Sequence, residues 1–320
     1  MSKKVGFGLI LGSLLVIFGL IGFVFLMDSL DWNFISLSTS QYETFSYEIE
    51  EDFDGILMDV DTADISFVPS EDGKCKVVCH EDPNDKHRVF VENKMLQIVE
   101  NTDIKINVTW LNFDNKKITV YLPESEYSSL TIYASTGDVN IPEGFTFGSI
   151  DIDVSTGDVN LSAFATDSIS IETNTGDITL DGASAGTVEL ETTTGRITVS
   201  NLTCSGDLGI EVDTGKVKIS NTSCNNFISK GDTGDIFLEG VIAAGKIDIE
   251  RDTGDVAFSS MDAAEIYINT NTGSIKGSLL SGKCFSAKSN TGRIDIPDDL
   301  EGGICKLTTN TGDIKVTVEK

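Results

Sequence analysis

The sequence predicts an all-β protein: a single-stranded β-helix, or β-solenoid, of about ten coils of roughly 20 residues each, with an irregular β-rich N-terminal cap, preceded by one transmembrane α-helix. Three observations predict it. Thr-Gly recurs ten times, with glycines at Gly137, Gly157, Gly176, Gly195, Gly215, Gly234, Gly254, Gly273, Gly292 and Gly312, and every gap between them is nineteen or twenty positions. Apolar residues alternate with polar ones on both sides of these glycines. A run from Val5 to Met27 carries no charge. A fixed period of this length is the mark of stacked structural repeats.

Residues 1–4 read as a cytoplasmic tail and 5–27 as the membrane helix, because 23 uncharged residues at 1.5 Å each suffice for a hydrocarbon core of ~30 Å. Lys3 and Lys4 precede the run and Asp28 and Asp31 follow it, so the positive-inside rule places the N-terminus in the cytoplasm and the rest outside the cell membrane. The run is too long for a typical signal-peptide core, and no Ala-x-Ala site follows it. Gly8 and Gly12 form a Gly-x-x-x-Gly pair that would let two such helices pack as a homodimer. Residues 28–44, with Trp32, Phe34 and Tyr42, read as an interfacial anchor and linker.

Residues 45–129 read as the cap. Runs such as Ile56-Leu57-Met58-Asp59-Val60 and Lys117-Ile118-Thr119-Val120-Tyr121 are strand-like, and Asn93-Lys94 between two apolar runs marks a hairpin. Asp61-Thr62-Ala63-Asp64-Ile65 looks like a degraded copy of the later corner, which makes this region irregular first coils.

Residues 130–320 form the solenoid. Positions seven and five before each glycine (Ile150 and Ile152, Ile169 and Ile171) and two and four after it (Val159 and Leu161, Ile178 and Leu180) are mostly apolar, which gives two short strands with one buried face. The glycine between them supplies a tight corner, and its Ser, Asn, Thr or Asp neighbours suit one. A looser connection returns to the next coil. Coils about 4.8 Å apart would make a rod roughly 48 Å long, with the threonines stacked in a ladder along one edge.

A net charge of −28 excludes nucleic acid and anionic lipid headgroups as natural partners. The acidic corner residues Asp213, Asp232, Asp235, Asp252 and Asp255 are candidate Ca²⁺ ligands, since oxygen donors repeated at strand spacing would be drawn together. The competing reading is solvated turn residues beside Lys216, Lys230 and Arg251, with no cofactor. Cys204 and Cys224 both lie nine residues after a corner glycine, so adjacent coils place them at disulfide distance. Cys305 falls on a core position, and Cys284 is one residue off that register. The segment holding Cys75, Cys79, His80 and His87 raises zinc, but its spacing fits no structural zinc signature, and thiols four apart on a strand are about 13 Å apart. No nucleophile motif or phosphate loop occurs, so the sequence reads as non-catalytic.

Ser135-Thr136-Gly137-Asp138-Val139-Asn140-Ile141-Pro142, Ser155-Thr156-Gly157-Asp158-Val159-Asn160-Leu161-Ser162 and Asn174-Thr175-Gly176-Asp177-Ile178-Thr179-Leu180 resemble the bacterial adhesin-like β-strand-repeat family of uncharacterised function. Ile118-Thr119-Val120-Tyr121-Leu122-Pro123 is also similar to the lead-in to its repeats. The resemblance spans about residues 45–320 and implies a β-solenoid, often membrane-tethered and in cell-envelope settings, with no catalytic residues to carry over. Arg196, Lys216, Ser274 and Arg293 stand where that pattern has Asp, which argues against one uniform metal ladder. The reading is a non-catalytic envelope binding or scaffold protein with a protein, cell-wall or surface ligand. A regulatory accessory of an envelope-stress system and a β-helical glycan-acting enzyme are the alternatives.

Overall fold

The computed structural model describes residues 42–83, 85–101, 116–298 and 301–319, together with positions 16, 18–21, 23–25 and 28, which are helical. The remainder of the expected 5–27 span, the Gly8/Gly12 pair and most of the linker lie outside the described residues. Among the described residues no helix is long and apolar enough to cross a membrane.

Each coil is built as its residue pattern requires. In the Gly157 coil a long strand, Thr146–Thr156, reaches the Thr-Gly corner, and a short strand, Val159–Leu161, leaves it. Ile150, Ile152, Val159 and Leu161 point inward and are buried, while Asp151, Asp153 and Asn160 point out. Both strands pair in parallel with their counterparts one coil away, Ile150 with Leu130 and Ile169, and Val159 with Val139 and Ile178. The ten corners bound about nine full turns around one continuous apolar core.

The connection between coils is more ordered than a loose return. Six residues after successive corner glycines, Gly182, Asn201, Asn221, Gly240 and Ser260 all adopt φ between 48° and 69° and make a second stacked corner. Asn side chains tolerate this left-handed backbone and also bond along the stack, Asn221 Nδ2 to Asn201 Oδ1 at 3.3 Å and Asn201 Nδ2 to Asp181 Oδ1 at 3.0 Å.

Among its described residues the N-terminal region contains seven strands: β1 (Glu43–Ile49), β2 (Gly55–Thr62), β3 (Asp64–Pro69), β4 (Cys75–Glu81), β5 (Arg88–Glu92), β6 (Met95–Val99) and β7 (Lys117–Leu122). β2 and β3 meet at the degraded corner and form a true coil, with Thr62 paired to Thr136. Asn93 and Lys94, at φ 52° and 63°, make the tight β5–β6 hairpin turn the sequence predicts. β6 pairs with β2 and β7 with β3, both in parallel, so this pair of strands stacks beyond the β2–β3 coil although it follows it in sequence. After β1 the coils therefore begin one level inside the end, build the end, then step back to Glu126–Thr136. β4, β1 and β5 add antiparallel strands around this end.

The C-terminus repeats the device. Ile304–Thr311 pairs with the Gly273 coil through Ile266↔Cys305 and with the Gly292 coil through Phe285↔Cys305. Ile314–Val318 likewise lies between Ile275–Leu279 and Ile294–Asp295. The stack runs Gly273, Gly312, Gly292, so the expectation of coils in sequence order fails for the last two. Gly302 and Gly303 permit the insertion: a Cβ on Gly302 would lie 2.1 Å from the Gly282 carbonyl oxygen, and one on Gly303 1.7 Å from that of Ala264.

Candidate functional site

The strongest concentration of repeated chemistry is the Thr-Gly-Asp corner. Its threonines stack in one unbroken, in-register ladder from Thr62 through Thr136, Thr156, Thr175, Thr194, Thr214, Thr233, Thr253 and Thr272 to Thr311 and Thr291. Their carbonyls accept from the corner glycine of the adjacent coil, as the Thr156 carbonyl does from the Gly137 N–H at 3.0 Å. Buried threonines three residues before a glycine serve the same corner from inside, Thr192 donating to Gly176 O and Thr270 to Gly254 O, each at 3.2 Å.

The aspartate after the glycine joins one coil to the next. Asp64, Asp138, Asp158 and Asp177 each accept, through Oδ1, the backbone N–H of Asp138, Asp158, Asp177 and Arg196 in turn, at 2.7–3.3 Å. Arg196 and Lys216 have no acceptor to offer and break the relay. They reach instead toward neighbouring carboxylates, Arg196 to Asp177 at 4.0 Å and Lys216 to Asp235 at 3.6 Å. The relay resumes from Asp235 to Asp255 and Ser274. Asp177→Ala should leave the Arg196 N–H without its acceptor and lower stability by about 1 kcal/mol, with Asp177→Asn, which keeps an acceptor oxygen, losing less in urea unfolding.

The candidate calcium ligands divide between two rows. Asp213, Asp232 and Asp252 precede stacked threonines, and Asp252 accepts from Asn271 at 2.8 Å. Asp235 and Asp255 belong to the relay. Among the described residues no three His, Cys, Asp or Glu side chains are gathered so as to hold a metal ion. Arg251, read from sequence as a surface counter-charge, is buried. Its guanidinium occupies the space above Gly231 and reaches Ser229 Oγ at 3.2 Å, and burial lowers its pKa to about 10.

Cys204 and Cys224 follow the paired residues Thr203 and Ser223 and are buried in the core as free thiols. Burial pushes the Cys224 thiol up to about 12, and Cys204 donates to Gly186 O at 3.2 Å. Cys75, Cys79 and Cys305 are also buried, each pushed to about 12 in the same way, which suits inert core thiols. His87 is buried against Glu81 and His80 lies beside Thr44, so the two rings serve different partners.

On the outer face of the long strands, Asp153, Glu172, Glu191 and Glu211 stand in direct register on four adjacent strands, and Lys230 follows. Partial burial, then the charges of Glu172 and Glu211, raise the pKa of Glu191 above its ordinary 4.5. Asp181 and Asp207 are lowered from 3.8, Asp181 by bonds from Ser200 and Asn201 and Asp207 by bonds from Asn225 and Asn226. A raised carboxyl is destabilising when ionised, so protonation of Glu191 adds stability as pH falls from 7 toward 4.5; lowered carboxyls lose theirs as pH falls below 3.8. Thermal unfolding followed by circular dichroism should show a midpoint that rises on mild acidification and then falls below about pH 4.

A family model described as Toastrack DUF4097 matches residues 53–211 and again 205–320. Two crystal structures described as "putative adhesin" are similar to the chain. One, from Bacteroides fragilis NCTC 9343, is 19% identical with a TM-score of 0.41 and covers 88% of this chain and 99% of its own. The other, from Parabacteroides distasonis ATCC 8503, is 11% identical with a TM-score of 0.43 and covers 75% of this chain and 98% of its own. No curated protein matches the chain.

Proposed function

The chain belongs to the Toastrack DUF4097 family, and from that premise we propose that it is a membrane-anchored rod that acts outside the cytoplasmic membrane by binding or scaffolding and not by catalysis. The observation that carries this reading is the N-terminal helix. Its described apolar residues, Val16, Phe18, Leu20, Ile21, Phe23, Val24 and Phe25, are exposed over most of the helix circumference, up to 77% at Phe25. A helix with so broad an apolar surface is unfavourable in water and stable in hydrocarbon. The two lysines before it and the aspartates after it set the direction, with the solenoid outward. Behind such an anchor, a stack joined at its corners holds its outward side chains at fixed spacing, which suits a surface that displays and does not react.

Cell fractionation tests the anchor, and protease added to intact spheroplasts tests the direction. The full chain should stay with membranes through alkaline carbonate, and its solenoid should be digested from outside. A chain recovered in the soluble fraction, or one protected from external protease, would sink the proposal.

A further inference from the structure

The two ends of the rod differ. At the N-terminal end β1, β4 and β5 wrap antiparallel strands around the stack. At the other end the last coil pairs Cys284–Thr291 with Ile304–Thr311 and Ile294–Asp295 with Ile314–Val318, and among the described residues no strand pairs with the outer side of Ile294–Asp295. Inward-type residues that are fully buried in the inner coils are open here: Ile294, two after its corner glycine, is 41% exposed, whereas Ile236, Ile275 and Ile314 at the same position are 0%. Solenoids normally close such an end with polar capping structure, because an open parallel edge pairs readily with another chain.

We propose that this end is an interface between two copies of the chain, joined end to end about a two-fold axis. Charge complementarity names the occupant. Along the open edge of the last coil Arg293 is followed by Ile294 and Asp295. An antiparallel pairing centred on Ile294 lays this residue on its equivalent and sets Arg293 against the Asp295 of the second copy, twice over by symmetry. The two isoleucines then continue the apolar core across the junction. Among the described residues the Arg293 side chain makes no ion pair, and Asp295 has only an exposed contact with Lys315 at 3.7 Å, so both are available. Elsewhere the net charge of −28 keeps copies apart, but residues 284–296 carry Lys288 and Arg293 against Asp295 alone. This inference rests on the membrane-anchored reading. The anchor lies at the opposite end of the chain, so two paired tips would join two separate membranes.

The test uses the full chain reconstituted in two differently dyed populations of phosphatidylcholine vesicles. Mixed vesicles should cluster and show both dyes together. Arg293→Glu or Asp295→Arg alone should lower clustering at least tenfold, and the exchange Arg293→Asp with Asp295→Arg should restore it, with thermal midpoints confirming that each variant is folded. Ile294→Lys should also abolish it. Vesicles that display protease-accessible rods yet stay dispersed would overturn end-to-end pairing and leave the anchored reading intact. So would clustering indifferent to these substitutions, or an exchange that fails to rescue. A chain that does not insert overturns both readings.

Discussion

Gly215→Ala should split the rod. The backbone at Gly215 has φ 155°, and a Cβ there would lie 1.6 Å from the carbonyl oxygen of Gly195 in the adjacent coil and 3.2 Å from Val212 Cγ1. Neither contact can be relieved locally. The oxygen belongs to backbone, and ladders on both faces, Val188↔Leu208 before the corner and Ile197↔Val217 after it, fix the separation of the coils. Alanine at a glycine-only conformation together with a steric overlap should cost about 3 to 5 kcal/mol. Because each coil contacts only its neighbours, the loss should appear as a break between two blocks, with urea unfolding turning from one transition into two. Gly209→Ala is the control. Its Cβ would meet Glu189 Cγ at 3.7 Å, an ordinary contact, and stability should change by less than about 0.5 kcal/mol. A single unchanged transition in Gly215→Ala would show that the corners can separate without loss.

Deleting residues 301–320 should unfold more than it removes. The missing segment contains Cys305, Leu307, Ile314 and Val316, all buried, and their burial alone is worth about 6 to 8 kcal/mol. It is also the only strand partner, among the described residues, of Cys284–Thr291 and Ile294–Asp295. Deletion therefore strands the Gly292 coil two places from its nearest neighbour. Amide exchange at 284–295 should become fast, and exchange at Ile275–Leu279 faster than in the full chain, while the Gly157 and Gly176 coils keep their protection. Retained protection at 284–295 would mean that this coil redocks directly on the Gly273 coil, a register that the interval between the two glycines permits.

The inner coils were legible because one spacing serves both chemistry and geometry. Apolar residues at fixed offsets from each glycine had to share a face, and they do. The order of the coils was not. The interval from Gly273 to Gly292 equals that from Gly157 to Gly176, which are truly adjacent, and Ile296 to Cys305 is the same step along the chain as Ile141 to Ile150. Nothing in length separates a step to the next level from a step back over one. The adjacent Gly302 and Gly303 were the available signal, one pressed against each flanking coil. The second corner was hidden because Gly182, Asn201, Asn221, Gly240 and Ser260 share a backbone angle and not a residue type. The aspartate after each glycine reads from sequence as a turn former or ligand, since a bond to the next coil is visible only once the coils are stacked. Arg251 was misplaced for a related reason: its burial depends on Gly231, which belongs to a different coil.

The inserted terminal coils bear on how the rod carries tension. In a solenoid whose chain ends at its outermost coil, a pull on the terminus peels strands from one ladder, breaking bonds in succession at low force. Here the final strand, Ile314–Val318, is held between Ile275–Leu279 on one side and Ile294–Asp295 on the other. A load applied at the C-terminus must shear two ladders together, and the last coil cannot be stripped first because it lies beyond the strand being pulled. At the opposite end β2 is likewise gripped on both sides, by β6 and by Glu126–Thr136, whereas β1, which precedes it in the chain, pairs among the described residues with β4 alone. A protein stretched between a membrane and a distant contact is thus gripped at its C-terminal strand like a rope tucked back into its own strands, where pulling tightens the splice.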